Sequence, residues 1–173
     1  MLNPFQIFDL PIDFQLDEKA LNTRYLELQK TLHPDNFVSS SALEQRVAMQ
    51  KSTEVNDALK TLKDPILRAE AIIAINTGER IDLEQKSTQD VAFLIQQLQW
   101  REQLEELEDQ KDEKALNAFA KEIKQETQSL LTVLSESLTS QQWTKASQLC
   151  DKLRFTRKLS EEIERVEERL FEL

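Results

Sequence analysis

The run TLHPDNF, residues 31–37, sets His33 one residue from Asp35, and His33 is the only histidine in the chain. A histidine beside a carboxylate is the pairing expected of a general base and the acid that orients it. Such chemistry also needs a nucleophile, a pocket and donors for a developing anion, and the neighbouring sequence offers none of them. A metal centre fares no better. Cys150 is the only cysteine and lies more than a hundred residues from His33, so there is no zinc-ligand set, disulfide or cluster-ligand spacing. An enzyme of the hydrolase or metal class would have to be built on His33 and Asp35 alone. The tripeptide therefore reads either as a contact or as a plain turn in which Asp35 caps local backbone groups.

Pro34 decides where these side chains stand. The residue before a proline is pushed out of the α region, so a helix arriving from the N-terminal side must stop at Leu32 and leave the tripeptide in a forced, exposed loop. The helix before it has Asp17 as a plausible N-cap and an apolar stripe of Leu21, Tyr25, Leu28 and Leu32. A second helix opens with SALE, where Ser41 and Glu44 form a capping box, and its expected inward positions are Leu43, Val47, Val55, Ala58, Leu59 and Leu62. The short loop between two such stripes predicts an antiparallel pair. The apolar patch FQIFDL precedes it, and Asp64-Pro65 ends it and starts PILRAEAIIAIN with proline in the first turn.

Composition points the same way. The 173 residues are 39% hydrophobic and 31% charged with one Gly and four Pro, which favours long helices over hairpins and predicts an all-α fold. A net charge of −10 without a clustered basic face excludes nucleic acid and anionic membranes as partners. The N-terminal MLNPFQIFDLPIDF lacks a basic segment and a long apolar run, and no stretch of about 18 apolar residues occurs, so a cytoplasmic protein is expected. The only Gly falls in NTGERIDLEQKS, residues 76–87, where periodicity fades. That places a domain over 1–76, a linker over 77–87 and a second, more acidic domain over 88–173. Three helices are predicted there, over roughly 88–109, 112–137 and 140–172, with Leu116, Phe119, Ile123, Leu130 and Leu134 as the inner stripe of the middle one.

His-Pro-Asp between paired helices, followed by VNDALKTLKDP with Asn56, Ala58, Leu62, Asp64 and Pro65 in register, resembles the J-domain. The resemblance implies docking on an ATPase chaperone of the DnaK type and stimulation of its ATP hydrolysis, with His33, Pro34 and Asp35 as the contact triad and no bond made or broken on this chain. J-domains often carry a basic run midway along the second helix. Here the stretch is RYLELQK, with only Arg24 and Lys30 flanking Leu26 and Glu27, which suggests a dedicated chaperone. Lys19, Leu26 and Lys30 share the outward face.

The acidic three-helix segment that follows, with STQDVAFLIQQLQWREQLEELEDQKDE and KLRF and no Gly/Phe-rich linker or zinc module, resembles the HscB family of iron–sulfur co-chaperones. The resemblance implies a HscA-type chaperone, an IscU-type scaffold as client, and no cofactor on this chain. A J-protein serving a general chaperone and other clients is the alternative.

The helix near residue 88 carries two faces. Phe93, Trp100, Leu104 and Leu107 fall within about 40° of one direction, while Val91, Leu94, Ile95 and Leu98 fall nearly opposite and give way to Glu102, Glu105 and Glu106. The second face packs inside the chain or binds a partner. By resemblance the client surface is Leu94, Ile95, Leu98, Gln99, Glu102 and Glu106, with Phe155 beside them; Gln99 stands where the family suggests glutamate. Periodicity leaves Phe155 open between core and interface. It points about 160° from the Trp143–Leu153 stripe and shares its side with Leu159, Ile163, Val166 and Leu170.

Overall fold

A computed structural model of the chain describes residues 2–78 and 90–171. It is all-α: α1 (Pro4–Ile7), α2 (Glu18–Leu32), a 3-10 turn (Pro34–Phe37), α3 (Ala42–Lys63), α4 (Pro65–Thr77), α5 (Val91–Gln110), α6 (Glu113–Thr139) and α7 (Trp143–Phe171). The chain divides into two compact units, Met1–Gly78 and Glu79–Leu173. Most of the expected linker, 79–87, lies outside the described residues. No described helix is long and apolar enough to cross a membrane.

In the N-terminal unit the helix ends follow local chemistry. Asp17 accepts the Ala20 N–H at 3.0 Å and Ser41 the Glu44 N–H at 3.1 Å, as the sequence predicts for N-caps. Asp64 caps α4, which has Pro65 at its first position and ends where Gly78, at φ 72°, returns its N–H to Ala74. Of the capping box predicted at Ser41 and Glu44 only the Ser41 half is formed among the described residues, whereas a full box opens α1, with Asn3 and Gln6 bonding each other's backbone N–H at 2.9 Å. Phe5, Phe8, Leu21, Leu62 and Ala69 are almost wholly buried and form the core between α1–α4.

Two predicted core residues are not in it. Leu43 and Val47 are 64% and 42% exposed. The inward line of α3 is drawn by Ala48, Val55 and Leu62, spaced by seven, and Leu43 and Val47 sit about 120° and 80° away from it. At that end of α3 the loop is held instead by Gln45, whose Nε2 donates to the Phe37 carbonyl at 2.9 Å.

In the C-terminal unit α6 and α7 pack against each other most extensively and α5 lies against both. Leu116, Phe119, Ile123, Leu130 and Leu134 are all buried, as the stripe predicts. Leu116, Phe119 and Ile123 cluster with Leu159, Ile163 and Val166 of α7 and with Trp100 and Leu104 of α5, while Ala146, Leu149 and Leu153 are buried in the first half of α7. Truncating one such leucine costs about 2–5 kcal/mol. The last connection sits slightly later than predicted. α6 runs to Thr139 and α7 starts at Trp143, because Gln141 takes a left-handed φ of 58° and its N–H and that of Gln142 return to Leu138 and Ser137.

Candidate interaction surfaces

The tripeptide loop is rigid in its backbone and open in its side chains. His33 leaves the helix at φ −60°, ψ 137°, the extended conformation its proline requires. Its Nδ1 accepts the Asp35 N–H at 3.2 Å and so caps the following 3-10 turn. In the plain-turn reading Asp35 would have done the capping; here the histidine does it and the carboxylate is left outward. Asn36 fastens the loop to the end of α2, its Nδ2 donating to the carbonyls of Lys30 at 2.5 Å and Thr31 at 3.2 Å. The side chains of His33 and Asp35 remain 60% and 87% exposed, with Nδ1 3.5 Å from Oδ2. In the tautomer that accepts the Asp35 N–H, Nε2 carries the proton and points away from that bond. A shallow groove of about 320 Å³ adjoins the loop, lined by Leu26, Lys30, Leu32, His33, Pro34 and Ser52.

The two basic residues expected to flank this surface differ in kind. Lys30 is exposed. Arg24 is half-buried, and its guanidinium donates to the carbonyls of Phe8, at 2.8 Å, and Asp9. Asp9 has φ 50° at the end of α1, where carbonyls lack helical partners, so Arg24 ties α1 to α2. Asn56 also serves the hairpin, accepting the Tyr25 hydroxyl at 2.8 Å across α2 and α3. Neither role is written in helical spacing, since each partner comes from another element.

On α5, Val91, Leu94, Ile95 and Leu98 are 51% to 64% exposed. Packing within the bundle does not consume them. Gln99, Glu102 and Glu106 are exposed too, and Glu102 and Glu106 have no ion-pair partner among the described residues. The opposite face is built by aromatic contacts to α7. Phe155 is half-buried, stands edge-on to Phe93 at 5.8 Å and stacks on Trp100 at 6.1 Å, with the Arg101 guanidinium 5.3 Å from its ring centre. Phe155 thus packs into the seam between α5 and α7 while keeping an accessible edge. Ion pairs flank the seam: Lys152 with Asp90 at 2.9 Å, Arg101 with Glu162 at 3.1 Å, and Arg169 with Glu108. The hydrogen bond from Lys152 is the main cause holding the Asp90 carboxyl below the usual carboxylate range; partial burial opposes it, and the Phe93 N–H and the lysine charge add to it.

An all-α chain with an exposed His-Pro-Asp loop in one unit and a two-faced helix in the other is a J-domain co-chaperone in architecture, and comparison with known proteins agrees. Residues 89–164 match the family model described as HSCB C-terminal oligomerisation domain. The Co-chaperone protein HscB homolog of Haemophilus influenzae is 86% identical over 173 residues, covering 100% of this chain and 99% of that protein. Among solved structures, Chaperone HscB from Vibrio cholerae superposes with a TM-score of 0.92 at 39% identity, covering 98% of this chain and 100% of that one. Human co-chaperone protein HscB superposes at 0.85 and 27% identity, covering 95% and 81%. The chain belongs to the HscB co-chaperone family.

Proposed function

We propose that the protein is an adaptor which brings an IscU-type iron–sulfur scaffold to a dedicated chaperone of the DnaK/HscA type in the cytoplasm and stimulates that chaperone's ATPase. The loop of His33, Pro34 and Asp35, with Lys30 beside it, docks on the chaperone. Leu94, Ile95, Leu98, Gln99, Glu102 and Glu106, with the edge of Phe155, hold the scaffold. The N-terminal domain over 1–76, the linker over 77–87 and the client domain over 88–173 divide the two tasks. The chain does no bond chemistry itself.

The observation that carries this reading is the exposed stripe of Leu94, Ile95 and Leu98, which runs directly into unpaired Glu102 and Glu106. An apolar centre with an acidic edge fits a partner with an apolar patch beside basic groups. Arg24 contributes by holding α1 against α2 rather than by direct contact. The test is the chaperone ATPase rate with this protein and a recombinant IscU-type scaffold added separately and together. Joint addition should exceed the sum of the separate effects. Strict additivity would refute the adaptor mechanism.

A further inference from the structure

The first two turns of α5 have few anchors. Val91, Leu94, Ile95 and Leu98 face solvent, and the first fully buried residue of the helix is Trp100. Helix starts also leave their first N–H groups unpaired, so a segment of this kind frays unless something holds it. Asp90 and Lys152 do so. Asp90 uses both carboxylate oxygens: Oδ1 accepts the Phe93 N–H at 2.9 Å as the N-cap, and Oδ2 accepts from Lys152 Nζ at 2.9 Å. The same ammonium lies 5.4 Å from the centre of the Phe93 ring, and that ring stands edge-on to Phe155 and Trp100. Cap, cation and aromatic ring thus close a small circuit between the start of α5 and the middle of α7.

We propose that Asp90 and Lys152 are positioning residues for the client surface, ordering the first two turns of α5 so that Leu94, Ile95 and Leu98 meet the partner already in place. This rests on the reading of that stripe as the scaffold-binding surface. Both side chains are only about one-third exposed, at 27% for Lys152 and 32% for Asp90, so their hydrogen bond is partly shielded from water. An ordered stripe avoids an entropic cost at association that a fraying one incurs. The low-lying carboxyl of Asp90 agrees with a pair maintained near neutral pH.

The test compares Lys152→Met, which keeps the aliphatic stem, Asp90→Asn, which keeps a capping oxygen, their double variant, and Lys152→Arg. Affinity for a recombinant IscU-type scaffold and amide hydrogen exchange over α5 are read on the full chain. Lys152→Met should weaken binding by about three- to tenfold and speed exchange at Leu94, Ile95 and Leu98, with the melting temperature moved by no more than ~2 °C. The double variant should bind no worse than Lys152→Met, since one pair is lost in each, and Lys152→Arg should bind as the parent does. Weakened binding without faster exchange would make Lys152 a direct contact and overturn the proposal. Parent-like binding by Lys152→Met would overturn it too, with Leu94→Ser/Leu98→Ser as the control: loss of binding in that variant leaves the underlying surface intact, whereas parent-like binding there removes surface and proposal together.

Discussion

The His33 loop and the α5 stripe are both exposed, yet they are held in opposite ways. The loop is fixed by hydrogen bonds among residues 30–45: Asp35 to His33, Asn36 to Lys30 and Thr31, and Gln45 to Phe37. The stripe is aimed by side chains of α7 roughly sixty residues away, through Phe155, Lys152 and Glu162. A site held locally is insensitive to core packing elsewhere. A site held at long range inherits the rigidity of the seam behind it, so remote changes should reach the stripe and not the loop.

The sharpest separation comes from His33→Gln. It should abolish stimulation of the chaperone ATPase while changing stability by less than ~0.5 kcal/mol and leaving scaffold affinity intact, because the residue is exposed, glutamine keeps an oxygen able to accept the Asp35 N–H, and Asn36 and Gln45 still fasten the loop. Retained stimulation would sink the docking role. Next in size is a pair of leucine changes on the bundle. Leu94→Ser/Leu98→Ser should cost about 2–4 kcal/mol of scaffold affinity with little change in melting temperature, whereas Leu134→Ala, wholly buried, should cost about 2–5 kcal/mol of stability. A large fall in melting temperature for the first variant would show that the stripe is structural.

Arg24→Gln tests which role Arg24 plays. It should cost about 1–2 kcal/mol in the N-terminal unit, read by urea unfolding, while stimulation at saturating concentration survives. Loss of stimulation at unchanged stability would return Arg24 to the contact surface. Smaller again, Glu102→Gln/Glu106→Gln should slow association with the scaffold by a factor that shrinks as salt is raised, with dissociation nearly unaltered. Equal salt dependence in variant and parent would count against a steering role.

The smallest effect is a pH dependence. Asp90 has its folded pKa depressed, chiefly by the Lys152 hydrogen bond, so its contribution is complete above the unfolded value near ~4 and fades as pH falls through the lower folded value. The difference in urea midpoint between the parent and Lys152→Met should therefore shrink on acidification below about pH 4. A constant difference would mean that Lys152 stabilises by packing.

What the sequence disclosed follows the same division between local and remote. Asp17, Ser41, Pro65 and Gly78 mark helix ends because caps and breakers act within a few residues. The α6 stripe was legible because that helix has neighbours along its length. Leu43 and Val47 misled because periodicity gives the spacing of apolar residues but not the arc that a neighbour covers. The exposed face of α5 was visible as a second stripe, though nothing local says whether it is covered. Arg24, Asn56 and the Asp90–Lys152 pair were silent, since each acts through a residue on another element.

The ion pairs between α5 and α7 also have an order. Asp90 meets Lys152, Arg101 meets Glu162, and Glu108 meets Arg169, so the two helices run parallel, and their charges read minus-plus-minus against plus-minus-plus. Sliding α7 by ten residues would set Lys152 opposite Arg101, and sliding it by seven would set Glu162 opposite Glu108, in each case replacing an ion pair by like against like. The pattern therefore works as a vernier that admits one alignment. The spacings are uneven, 11 and 7 residues from Asp90 to Arg101 to Glu108 against 10 and 7 from Lys152 to Glu162 to Arg169, so reversing either helix would throw the middle pair out of step and the pattern carries direction as well as register. The tight turn at Lys111 and Asp112 imposes the same direction from the backbone, sending α6 back along α5 before α7 returns beside it.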